Sequence, residues 1–223
     1  MDSQATRYTL LLTSLPALPP SFAAAYNPIS RIQLDRRLQL LQEQDREQLA
    51  RIEALTDWGQ LGLHDDDAAL ATAARHGLQE IDSEPLRELV LWRLELRTAV
   101  AALRRRARGE AAPGPGPWGV GRWCDHIVRH WGEADLGLGR VFPWLGEASR
   151  LLASGDSLAL ERLLLGAVWD HIGRAADGHH FDFEAVVVYV LRWDISARWA
   201  GHDSSIAHKR FDALVQNGLG EYA

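Results

Sequence analysis

The stretch from Phe181 to Trp199, Phe-Asp-Phe-Glu-Ala-Val-Val-Val-Tyr-Val-Leu-Arg-Trp-Asp-Ile-Ser-Ala-Arg-Trp, constrains the fold more than any other. Val186, Tyr189, Val190, Trp193 and Ala197 fall at the spacing of one helix face. Val187, Val188 and Leu191 widen that face over most of the circumference, so the helix must be buried on most of its girth. Asp182 is suited to cap the first turn, where Glu184 adds a negative charge that the helix dipole favours. A strand is the competing reading, because Val-Val-Val-Tyr-Val is β-prone. Length, cap and the arginines that follow favour the helix.

Most of the remaining chain carries the same helical punctuation. Tyr8 to Pro16 is the exception and reads as a short extended arm ending in a Pro-rich turn. Ser30-Arg31-Ile32-Gln33 is a capping box that opens a helix to about Leu41. Asp45-Arg46-Glu47-Gln48 starts a second helix to about Leu55 after a tight joint. Asp65-Asp66-Asp67 opens an Ala-rich helix expected to end at Gly77. The three aspartates read as a solvated helix start, since no glycine turn or terminal Glu at calcium-loop spacing follows. Asp82-Ser83-Glu84-Pro85 begins the longest helix of this half, which closes on Arg104-Arg105-Arg106-Ala107-Arg108 near Gly109. Beyond it, Trp118 to Trp131 reads as a helical segment, followed by a glycine-rich loop to Arg140. Helices are then expected from Pro143 to about Leu152, from the Asp156-Ser157 cap through Ile172, and from an Asp203 cap to about Gln216. The expected class is an all-α multi-helix bundle.

Gly109 to Gly121, with Pro113-Gly114-Pro115-Gly116-Pro117 inside it, is the clearest break in the chain. It divides the sequence into an N-terminal helical lobe (1–108), a linker (109–121) and a C-terminal helical lobe (122–223). A length of 223 residues accommodates that division.

The charge balance narrows the function. A net charge of −6 argues against a general nucleic-acid binder, whose affinity rests on Lys and Arg at phosphates. The single cysteine, Cys124, rules out an internal disulfide and suits a reducing cytoplasm. No stretch of about 18 uninterrupted apolar residues reads as a membrane span. Arg7, the apolar run Tyr8 to Leu12 and Ala23-Ala24-Ala25 imitate a signal peptide, but Asp2, Pro16, Pro19 and Pro20 break the pattern. A soluble, cytoplasmic protein is expected. Nine tryptophans read first as core packing among small-residue helices and second as an aromatic contact surface.

Catalytic signatures are sparse. No nucleophile elbow, phosphate loop or dinucleotide fingerprint occurs. His126 and His130, at i and i+4 beside Cys124, form the best metal candidate, to which His171, His179 or His180 would have to be added by folding. The ordinary reading is histidines on an amphipathic helix. Glu184 is a candidate buried acid, with a first-turn helix Glu as the default.

Two regions carry a resemblance. The first is Tyr8 with Leu11-Leu12-Thr13-Ser14-Leu15-Pro16-Ala17-Leu18, then Ile29-Ser30 and the Leu38 to Asp45 segment. The second is Leu160-Glu161-Arg162-Leu163-Leu164 with Trp169, then Phe181 to Val186, Tyr189 and Arg198-Trp199. In these residues the chain resembles the short bacterial proteins of the V-type ATPase that are like its C-type subunit, and more distantly the C-terminal part of the larger C/d-type subunit itself. The resemblance implies a non-catalytic central-stalk component without a cofactor. Its partners would be the rotor shaft subunits and the proteolipid ring of the V-type ATPase, whose coupling drives ion (proton) transport. It would lie peripheral to the inner membrane and touch it only through the complex. No motif assigns a contact, so the candidate partner-binding side chains are the arginines Arg104, Arg105, Arg106 and Arg108, together with Arg192, Arg198 and Trp199 on the C-terminal helix. A helical protein–protein adaptor unrelated to the ATPase is the alternative. A metal-dependent enzyme using Cys124, His126 and His130 is a third.

Overall fold

A computed structural model describes residues 3–24, 27–57 and 67–220. Among these residues every regular element is an α-helix. In chain order they are α1 (Ser3–Ser14), α2 (Arg31–Leu38), α3 (Glu43–Thr56), α4 (Asp67–Gln79), α5 (Glu84–Ala107), α6 (Cys124–Arg129), α7 (Leu145–Ser154), α8 (Ser157–Ala175) and α9 (Phe183–Gly220).

The local start signals act as their chemistry dictates. Ser30 caps α2, accepting from Gln33 N while the Gln33 side chain accepts from the Ser30 backbone. Asp156 caps α8 at 3.0 Å from Ala159 N, and Asp182 caps α9 at 2.9 Å from Ala185 N. Pro85 sits in the first turn of α5, where its missing N–H costs nothing.

Four expectations are corrected. The Tyr8 to Pro16 arm is helical as far as Ser14: Tyr8, Leu11 and Leu15 recur at i, i+3 and i+7 and all three are buried. The Thr9 and Thr13 hydroxyls donate to Ala5 O and Thr9 O one turn back, and Pro16 disfavours the α conformation at the residue before it. Gly77 lies inside α4 and does not end it. A Cβ there would come within 3.1 Å of Leu55 Cδ2, so the glycine permits close packing of α4 on α3. Of the Trp118 to Trp131 segment only α6 is helical. No separate helix starts at Asp203, because α9 runs through that position; neither a proline nor a left-handed residue stops the helix near Gly201. Asp65 and Asp66 lie outside the described residues.

α5 is the axis of the molecule. Leu86, Leu89, Val90, Leu94, Leu96, Ala99, Ala102 and Leu103 bury nearly all its sides. It packs against α3 and α4 on the N-terminal side of the Pro/Gly stretch, and against α6, α7 and α8 on the other. α9 packs on α8, α1 and α3. One contiguous core therefore runs from Tyr8 to Ile195, and the Pro/Gly stretch crosses its surface without separating two cores.

The end of that stretch is bolted to α5. The Thr98 hydroxyl accepts from Val120 N and faces Val120 O, each at 3.0 Å. The buried Glu95 carboxylate accepts from Arg122 N and Arg122 Nε at 2.9 Å. Gly121 makes this possible: its φ is +105°, and a Cβ there would collide with the Glu95 side chain. The eight described tryptophans follow the packing reading, since Trp169 and Trp193 are buried and the other six pack partly buried against the core.

Candidate functional site

A cavity of about 430 Å3 opens between α2, α3, α5, α8 and α9. Apolar side chains form half of its lining: Ala54 from α3, Leu89 and Trp92 from α5, Val168 and Ile172 from α8, Leu191 and Ile195 from α9. Trp92 is set in place by His171, whose ring stacks on it at 3.6 Å between centroids. Burial, with Arg174 nearby, pushes the His171 pKa down to about 4, so the stacked ring is neutral near pH 7.

Apart from Thr56, the polar side chains that line the cavity are charged. Arg31, the first residue of α2, reaches across to two other helices. Its guanidinium donates to Asp35 within α2 (2.8 Å), to Glu53 on α3 (2.7 Å) and to Asp194 on α9 (3.4 Å). The bond to Glu53 is the main reason its pKa is raised. Asp194 is in the opposite position. Burial first, then the like charges of Glu53, Asp57 and Asp35, outweigh Arg31 and push its carboxyl up to about 7. The side chain keeps 37% of its surface accessible, and it lines the cavity. Arg93 is only 3% exposed; burial, then like-charge repulsion from Arg97 and Arg198, holds its pKa well below the usual guanidinium range. Arg198, one turn beyond Asp194, donates from Nε to Glu161 on α8 at 2.6 Å.

The candidate side chains expected from sequence scatter over the molecule. Arg198 lines the cavity. Arg192 lies over the Trp169 ring at 4.7 Å, and burial lowers its pKa. A Cβ at Gly173 would strike its guanidinium, so the glycine leaves it room. Trp199 packs edge-on against Phe22 with centroids 5.7 Å apart. The basic run divides. Arg106 is a clamp, donating to Trp131 O, Glu133 O, Ala134 O and Ser149 Oγ. Arg105 and Arg108 both pair with Glu110, which lowers the Glu110 pKa. Arg104 is exposed.

The metal candidates do not assemble as expected. Cys124, His126 and His130 form no ligand set among the described residues. His126 Nε2 lies 3.0 Å from Gly137 O, His130 Nδ1 lies 2.6 Å from Glu133, and the Cys124 thiol donates toward Gly121 O. Burial raises the thiol pKa, which keeps it protonated. His179, Asp182 and Glu184 do lie together. Their atoms are already engaged, however: Asp182 caps α9 and faces His179 at 2.7 Å, and Glu184 accepts from Ser83 at 2.6 Å. The helix N-terminus beneath them favours anions over a cation.

Sequence reasoning misses Arg31, Arg93 and Asp194. A signal is present, because Arg93 falls between Val90 and Leu94, and Asp194 between Trp193 and Ile195, on otherwise apolar helix faces.

In comparisons with models of known families, with curated proteins and with solved structures, no family model, no curated protein and no solved structure matches this chain.

Proposed function

We propose that the chain is a non-catalytic central-stalk component of a V-type ATPase or ATP synthase, like the C/d-type subunit, coupling the rotor shaft to the proteolipid ring for ion transport. What supports this reading is where the two resembling regions meet. The Tyr189 hydroxyl donates to Pro16 O at 2.9 Å across 173 residues of sequence. Trp193 Nε1 donates to Ile29 O at 2.8 Å. Phe22, from the segment between the two N-terminal motifs, packs on both Trp169 and Trp199, and Arg198 pairs with Glu161. Tyr8 donates to Asp45 at 2.9 Å within the first region. Residues from these distant stretches thus hold one another in a single wall of the molecule.

The mechanical task fits the same architecture. Torque transmission needs a body that deforms little, and close-packed helices around one long axial helix supply it. Among the described residues no helix is long and apolar enough to cross a membrane, which agrees with a peripheral position reached through partners. The exposed Arg104 and Arg108 are the side chains of the basic run best placed to meet an acidic partner face. Arg106, Arg192 and Arg198 are engaged inside the fold, so changing them tests folding as well as assembly.

Affinity purification from gently detergent-solubilised membranes, with mass spectrometry of the recovered proteins, tests the proposal. Stoichiometric recovery of shaft, catalytic and proteolipid subunits is expected, and Arg104→Glu with Arg108→Glu should reduce it while far-UV circular dichroism stays unchanged. Recovery of none of them, with the ATPase intact elsewhere, would overturn the reading in favour of an unrelated helical adaptor.

A further inference from the structure

A second hollow lies on another side of α9. Between the Pro-rich segment 16–20 that follows α1 and the facing sides of α8 and α9 runs a groove of about 390 Å3, within the volume range of sites that hold small molecules. Leu12, Leu15 and Leu18 on one side and Ala176, Ala185 and Val188 on the other give it apolar walls. The Tyr189 hydroxyl ties the segment to α9 by donating to Pro16 O at 2.9 Å. Pro16, Pro19 and Pro20 restrict the backbone between these walls.

One cation in this groove has no anion bonded to it. The guanidinium of Arg192 lies over the Trp169 ring at 4.7 Å, and Phe22 packs on the same ring with centroids 6.1 Å apart. Trp169 thus takes one face of the guanidinium and leaves its edge. Among the described residues none of the three Arg192 nitrogens has a hydrogen-bond partner: Nε is buried without one, whereas Nη1 and Nη2 keep solvent access. Burial lowers the Arg192 pKa; Asp170 acts the other way but forms no ion pair with it among the described residues. No carboxylate among the described residues lines the groove. His179, which does line it, faces Asp182 at 2.7 Å.

We propose that this groove binds a small monocarboxylate with an apolar body, its head group on the Nη edge of Arg192. The two Nη atoms present parallel N–H donors that match the two oxygens of a carboxylate. A monocarboxylate brings one negative charge to one guanidinium, whereas a doubly charged phosphate would leave a charge unanswered. The apolar body lies against Leu15, Leu18, Ala176 and Val188, out of water. The Trp169 face holds the plane of the guanidinium before the ligand arrives, which lowers the ordering cost of binding. The proposal does not rest on the ATPase reading, which concerns protein partners and other arginines.

Calorimetric titration of the full chain with octanoate, octanol and octylammonium tests it, because the three share one tail and differ in head group. Saturable binding of octanoate at one per chain is expected, about tenfold or more tighter than either other compound, as hydrogen bonds to a charged group supply. Arg192→Gln should weaken octanoate binding by about tenfold or more, while Arg140→Gln, an exposed arginine outside the groove, should leave it unchanged. Ala176→Phe, which narrows the groove without removing a charge, should weaken it as well and keeps the test standing if Arg192→Gln fails to fold. Absence of saturable binding, equal binding of the three compounds, or octanoate binding unchanged in the folded Ala176→Phe protein would overturn the proposal.

Discussion

Asp194 shows how a single residue in this chain carries both stability and site chemistry. In the folded protein it holds its proton to about 7, whereas an Asp in an unfolded chain releases it near about 4. Between those values the folded state binds more protons, so this group's contribution makes stability fall as pH rises through that window. The groups facing it are Arg31 and Asp35 on α2, and Glu53 and Asp57 at the end of α3. Arg198, on its own helix, and Arg93 from α5 share the cavity with it. Asp194→Asn should therefore stabilise the protein at pH 8 by more than at pH 5, read as denaturation midpoints; an equal gain at both pH values would contradict the account. Gly121 is a second such residue. Gly121→Ala should cost about 1–3 kcal/mol or more, from left-handed strain and from displacing Glu95, while Gly114→Ala, with nothing nearby, should change stability by less than about 0.5 kcal/mol. Residues that act on their own few neighbours are legible in the sequence: Ser30, Asp156 and Asp182 cap helices, as their settings imply. Arg93 and Asp194 are not, because what they meet comes from helices far away in sequence. Their only trace is a charge on an apolar face.

At the scale of elements, periodicity decides what can be read. The long apolar stripe of α9, the capped starts of α2 and α8 and the proline in the first turn of α5 point to helices where helices stand. α1 escapes that reading because its run of leucines hides which three positions are buried. Its helical packing makes an asymmetric prediction: Leu11→Ala, fully buried, should cost about 2–5 kcal/mol, whereas Leu10→Ala, 57% exposed, should stay within about 0.5 kcal/mol in urea denaturation. Trp118 to Trp131 escapes it for a different reason. Its shape is imposed by α5 through Thr98, Glu95 and Gly121, and by Arg106, which gathers the carbonyls of Trp131, Glu133 and Ala134. No local pattern encodes those tertiary bonds.

For the whole molecule, the all-α class is legible, while the relation between the two sides of the Pro/Gly stretch is not. Proline and glycine forbid a helix there, but they do not reveal whether the chain returns to the same core. It does, with α5 packed on α7 and α8. Unfolding should accordingly be one cooperative transition, with tryptophan fluorescence and far-UV circular dichroism superimposing; two separated transitions would mean that the sides fold independently. A single stiff body is also what a torque-transmitting stalk component requires. The most direct test of that role is ATP-driven ion uptake into vesicles carrying the V-type ATPase, measured against ATP hydrolysis, with this chain removed and then restored. A coupling component predicts that its removal lowers the ions moved per ATP and that adding the purified chain restores the ratio. An unchanged ratio, with the complex fully depleted of the chain, would contradict the proposed function.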